Sequence, residues 1–272
     1  MPIRTAFLVA VLTACTAMPA RGQAPADNCA LLDDAYRQYY SGKNEAAVGL
    51  ALPHCTTPPV NLAACELATT ALHFQIKRLL GPETQKKKWE QCAECPGLME
   101  TFLAVTARGQ AAAKATIAAD PTDDETKFFL GKLDLNFVWL QLGTLGKKTG
   151  WKEYWEARKL LDDLVKRKPE MVRARVARAW IDYIVATKMP RGARWVLGGG
   201  DKKKGLNVVR EAAEMPAAFF DATEAAFALW DMQVREKQMP AAVATARKLA
   251  RDFPENEELA KFLATNDPEA RR

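Results

Sequence analysis

Cys92 and Cys95 stand in a C-x-x-C spacing within "QCAECPG" (91–97), the arrangement used by dithiol redox sites. Such a site needs a thiolate stabilised by a helix start or a nearby cation. The immediate neighbours are Glu90 and Glu94, no strand pattern precedes the motif, and Pro96 follows it, so the pair reads as structural cystine or an orphan thiol. Zinc would need a second C-x-x-C or a histidine pair, and the only histidines are His54 and His73. A serine nucleophile has one candidate, Ser41, in the turn "SGKN". The glycine run 198–200 precedes Asp201 and three lysines, but a phosphate loop requires G-x-x-x-x-G-K-[ST], and here Gly205 is followed by Leu206. Asp201 at a helix start would repel an anion, so the run reads as a flexible lead into a helix. No catalytic residue, metal ligand or cofactor site is assigned, and a non-enzymatic protein is expected.

The elements that would carry these residues are helical throughout. Val172, Val176, Ala179, Trp180, Tyr183 and Ile184 recur at helical spacing, as do Ala157, Leu160, Leu161 and Leu164, while alternating strand patterns are nearly absent. Thr122 to Glu125 spell a helix start before Lys127, and Asp201 marks another. Pro121, Pro169, Pro216 and Pro254 each end a helix, because proline disfavours helical geometry in the residue before it. They are 48, 47 and 38 residues apart, a spacing suited to stacked helical pairs. The fold class expected is all-α, with antiparallel helical hairpins stacked as a superhelix.

"ARKLLDDLVKRKP" (157–169) and "AVATARKLARDFP" (242–254) each place a small residue 12 before the proline and apolar residues 8 and 5 before it; "GQAAAKATIAADP" (109–121) follows more loosely. This resembles the second helix of a tetratricopeptide repeat (TPR), over about residues 97–265. "LGGGDKKKGLNVVREAA" (197–213) resembles loop-to-helix junctions in exported bacterial proteins of that type, including the periplasmic repeat component associated with some solute transporters. The resemblance implies a divergent TPR-like chain whose concave face binds a protein or peptide partner as a scaffold or adaptor. The alternative is a solute-binding or accessory subunit of a periplasmic (TRAP-associated) transporter.

Residues 1–26 read as a leader: Arg4 supplies the charge, and "TAFLVAVLTACTA" (5–17) supplies an apolar run too short to span a bilayer. Leu12, Thr13 and Ala14 before Cys15 resemble a bacterial lipobox, making Cys15 a lipidation candidate with 16–26 as a tether; cleavage after Ala20, Ala24 or Ala26 is the competing and favoured reading. Either way the chain is expected to be exported, to the periplasm, possible membrane attachment coming only through that lipid. The remaining divisions are 27–96, helical hairpins with disulfides; 97–265, repeats; and 266–272, a tail.

Export favours disulfides. Helical hairpins turning near residue 42 and at Gly81–Pro82 would bring Cys29 to Cys55 and Cys65 to Cys95, leaving Cys92 out. Without residues 1–26 the chain carries 37 basic and 33 acidic residues, and its lysine runs are separated, so no nucleic-acid partner is expected. Trp151, Tyr154 and Trp155, at helical spacing with Leu161, are expected to pack in the core.

Overall fold

The computed structural model describes residues 26–81 and 86–269, so Cys15, the leader up to residue 25 and the last three residues of the tail lie outside the described residues. Among the described residues the chain is all-α, with thirteen α-helices: α1 Ala26–Tyr40, α2 Asn44–Thr56, α3 Leu62–Leu80, α4 Lys86–Gln91, α5 Cys95–Ala119, α6 Asp124–Val138, α7 Trp151–Arg167, α8 Val172–Lys188, α9 Arg191–Val196, α10 Lys202–Glu214, α11 Phe219–Arg235, α12 Met239–Asp252 and α13 Glu257–Asn266. A π-helical turn, Trp139–Thr144, extends α6. No described helix is long and apolar enough to cross a membrane.

The four prolines share one position. Pro121, Pro169, Pro216 and Pro254 are each the second residue of a four-residue loop joining α5 to α6, α7 to α8, α10 to α11 and α12 to α13. The residue before each has left the helical region: Asp120 at φ −132°, ψ 92°; Lys168 at −129°, 64°; Met215 at −74°, 144°; Phe253 at −131°, 65°. Side chains then restart two of the following helices, Asp123 accepting from the Thr126 amide and Asn256 from the Leu259 amide. Loops this short force antiparallel neighbours, and the helices pack mostly on those next to them in the chain.

The α8–α10 connection explains the glycine run. Gly198 and Gly199 take φ +76°, a left-handed conformation that L side chains rarely adopt. Gly200 and Gly205 sit where a Cβ would come within 2.7 Å of the Asp182 carbonyl and 2.9 Å of the Ala179 carbonyl, so glycine lets α10 press against the backbone of α8. Asp201 caps α10 by accepting from the amides of Lys203 and Lys204.

The first and last parts of the described chain meet. Tyr40 packs on Phe227 and Phe253, with ring centroids 5.2 and 5.6 Å away. Asn256 donates from Nδ2 to the Tyr40 carbonyl at 2.7 Å, and Lys43 pairs with Glu255. Leu32, Tyr36, Cys65, Leu133 and Phe253 therefore share one core, although they span most of the sequence.

The disulfides differ from the expected pairing. Cys55 is bonded to Cys65 and Cys92 to Cys95, rather than Cys29 to Cys55 and Cys65 to Cys95. The cause lies in the 57–61 loop, which contains Pro58 and Pro59 and sets the end of α2 against the first turn of α3; Cα55 and Cα65 are 4.8 Å apart. Cys95 begins α5 and its Cα lies 5.4 Å from that of Cys92, within bridging range. Cys29 lies in α1, and its side chain is outside the described residues. These bridges point to maturation in an oxidising compartment. Cys55 and Cys65 are wholly buried, so Cys55→Ala/Cys65→Ala should lose about 2–3 kcal/mol in urea unfolding, from loop closure alone. A loss under about 0.5 kcal/mol would show that packing already enforces this contact.

Candidate functional site

Four alternate helices each send one charged side chain to a single buried cluster: Glu66 from α3, Lys132 from α6, Arg173 from α8 and Glu224 from α11. Lys132 Nζ donates to Glu224 Oε1 at 2.6 Å and lies 3.4 Å from Glu66 Oε1. Arg173 donates from Nη2 to Glu66 Oε2 at 3.1 Å and from Nε to Glu224 Oε2. Two carboxylates thus face two cations, each of their four oxygens has a partner, and a third carboxylate, Asp221, lies 3.9 Å from Arg173 Nε.

Aromatic rings close the cluster from one side. The Arg173 guanidinium lies 5.0 Å from the Phe128 centroid and 5.8 Å from those of Phe129 and Tyr36, the last contributed by α1. Burial pushes the Tyr36 hydroxyl up to about 12, against the lowering influence of Arg173. Burial would likewise raise Glu224, but Lys132 and then Arg173 outweigh it and bring the group down to about 2. Within the cluster each cation is thus matched by carboxylates of the fold itself.

From this floor, helical spacing carries a stripe along each of the four helices. On α3 it runs Glu66, Thr70, His73, Lys77; on α6, Lys132, Asn136, Trp139; on α8, Arg173, Ala177, Trp180, Ile184; on α11, Glu224, Ala228, Asp231, Arg235. On α3 exposure increases outward, whereas on the other three helices a buried residue, Asn136, Ala177 or Ala228, lies between the half-buried charge and the outer positions. Glu66 is buried, Thr70 and His73 are half-buried and Lys77 is exposed, while Trp139, Trp180 and Ile184 are half-buried and Arg235 is exposed.

Hydrogen bonds tie the α3 and α6 stripes together. Asn136 donates from Nδ2 to the hydroxyls of Thr69 and Thr70 at 2.9 and 2.8 Å, and Thr70 donates to Glu66 Oε1. Farther out His73 Nε2 meets Thr144 Oγ1 at 2.8 Å, in the π-helical turn. Burial, then Lys77, pushes His73 down to about 3, so it is neutral at physiological pH. Arg235 stands 5.8 Å over the Trp180 ring. Neutral hydrogen-bonding groups and partly open indoles suit contact with a mixed polar and apolar ligand better than proton transfer.

The residues singled out by sequence lie elsewhere. Cys95 is buried and Cys92 half-buried, both in a bridge at the α4–α5 junction; Ser41 is in the α1–α2 turn and His54 near the end of α2. Of the cysteine, serine and histidine candidates only His73 falls on a stripe. Among the described residues no three His, Cys, Asp or Glu side chains are grouped to hold a metal ion. The expected core position of the α7 aromatics is corrected in part: Tyr154 is buried, but Trp151 and Trp155 are 42% and 44% exposed.

The one sequence signal for the cluster was Glu66 itself, the only Asp, Glu, Lys or Arg between Glu45 and Lys77. An isolated charge in so apolar a run marks a buried, partnered group. No protein-family model matches the chain, and no curated protein matches it. The class its structure defines is an all-α protein of short-looped helices packed mainly on their sequential neighbours.

Proposed function

We propose that this chain is a non-enzymatic, TPR-like helical-repeat protein that binds a protein or peptide partner along the stripes of α3, α6, α8 and α11, and that it works outside the cytoplasm. The observation that carries this reading is the convergence of one charged side chain from each of those four helices. It fixes them with the same face inward, and each face continues outward into half-buried residues such as His73, Trp139 and Trp180. Repeat proteins present such faces for recognition. The disulfides support an extracytoplasmic setting.

A photo-crosslinking residue placed at Phe74, which is 41% exposed beside the α3 stripe, tests the site in the native envelope. A discrete protein adduct is expected from position 74 and not from exposed Lys261 on α13. The same adducts at both positions overturn the assignment. No protein adduct, together with thermal stabilisation by an organic acid or amino acid, reassigns the stripes to a solute-handling subunit.

A further inference from the structure

A second surface has nothing to do with the stripes. α7 buries Tyr154, Ala157, Leu161 and Leu164, which leaves Trp151 and Trp155 on its outer side. α9, inserted between α8 and α10, buries none of its own residues and holds Trp195 85% and Val196 63% exposed. Its position is nevertheless fixed. Tyr154 donates from its hydroxyl to the Leu197 carbonyl at 2.9 Å, and Arg158 donates from Nη2 to the Gly198 carbonyl at 2.9 Å. Two adjoining apolar side chains are thus presented to solvent on a turn pinned to α7, the helix that carries two further half-exposed indoles.

The charge around them is one-sided. Segments 147–159 and 189–204 hold ten basic residues and three acidic ones, whereas the whole chain has a net charge of only +6, so the rest of it is close to neutral. Among the described residues, only Arg158 and Lys202 of those ten are ion-paired with carboxylates, Asp162 and Glu236 respectively. Lys147, Lys148, Lys152, Arg191 and Lys203 are exposed. An excess of cations on the two segments that carry the exposed indoles and Val196 complements a surface that is anionic outside and apolar just beneath.

We propose that the α7–α9 face docks the folded body on an anionic phospholipid surface, with Trp195 and Val196 entering the headgroup region and the surrounding lysines and arginines facing lipid phosphates. Indole rings sit at the membrane interface because one edge donates a hydrogen bond while the body is apolar. Basic residues near an anionic leaflet add about 1 kcal/mol each, so five to eight of them with a shallow apolar anchor give reversible binding without any acyl chain. Nucleic acid would use the cations but gains nothing from Val196.

The test uses the full chain carrying Cys15→Ser, so that no lipid can tether it, with sedimentation on vesicles. Retention is expected on phosphatidylglycerol-rich vesicles at low salt with a blue-shifted tryptophan emission, and little on pure phosphatidylcholine. Trp195→Ala, at a site too exposed to affect folding, should lower the partition coefficient roughly tenfold, and Lys148→Glu/Arg191→Glu/Lys203→Glu should abolish retention. Failure to bind anionic vesicles at low salt, or binding indifferent to both variants, overturns the proposal. Tighter binding to polyglutamate or to single-stranded DNA than to the vesicles also overturns it, and assigns the face to an acidic protein or a nucleic acid respectively.

Discussion

Arg173→Met is expected to destabilise the fold by about 3–5 kcal/mol in urea unfolding at neutral pH. The side chain is half the positive charge of the buried quartet and bonds to both carboxylates, through Nη2 to Glu66 and through Nε to Glu224. Methionine fills much of the volume but leaves Lys132 alone between two buried carboxylates, and an uncompensated buried charge costs more than the pair contributed. Arg173→Lys should fall between, since an ammonium keeps the charge but cannot reach both carboxylates with a planar fork. Adding Glu224→Gln to Arg173→Met should recover part of the loss, a non-additivity diagnostic of direct coupling. The pH dependence has a definite sign. Glu224 is depressed from an ordinary 4.5 to about 2, so its contribution is complete above 4.5 and disappears as pH falls from there through about 2. In Arg173→Met the Glu224 carboxyl loses one of the two cations that lower it, and the deficit relative to wild type should shrink toward pH 4. A loss below about 1 kcal/mol with no such trend would mean that the rings and helix contacts alone hold the four helices in register.

Much of the architecture was legible because it depends on short-range rules. The four prolines announced four loops, and the conformations of Asp120, Lys168, Met215 and Phe253 show the local steric cause. Asp201 was readable as a cap for the same reason, and 122–125 as a helix start, although the residue that caps it is Asp123. The disulfides were not, because their pairing depends on how the 57–61 loop turns, and a symmetric hairpin over residue 42 gives a different neighbour for Cys55. Trp151 and Trp155 illustrate a different ambiguity: a spacing of four places two side chains on one face, but only the neighbours of α7 decide whether that face is covered. The quartet was least accessible of all. Its members come from positions 66, 132, 173 and 224; only Glu66 stands out locally, and their meeting is a property of the stacked helices rather than of any segment.

Asp134→Asn is expected to stabilise the protein at both pH 5 and pH 8, and clearly more at pH 8. Asp134 lies on α6 with no exposed surface; its Oδ1 accepts from Gln110 Nε2 at 2.6 Å, and Oδ2 has no hydrogen-bond partner. Burial pushes the carboxyl up to about 7; Gln110 and Lys114 pull downward, and Glu156 and Glu153 push upward. An acid raised in the folded state binds its proton there and loses it in the unfolded chain, so folding stability falls as pH rises from about 4 to about 7. Three pKa units correspond to at most about 4 kcal/mol, the ceiling on what the ionised side chain costs above neutrality. Asparagine keeps the acceptor for Gln110 and cannot ionise, which removes the slope. Urea midpoints at pH 5 and pH 8 decide the matter: the variant's gain over wild type should be markedly larger at the higher pH. Parallel profiles for the two proteins would show that Asp134 stays charged at pH 5, with its second oxygen satisfied by solvent reaching between α5 and α6.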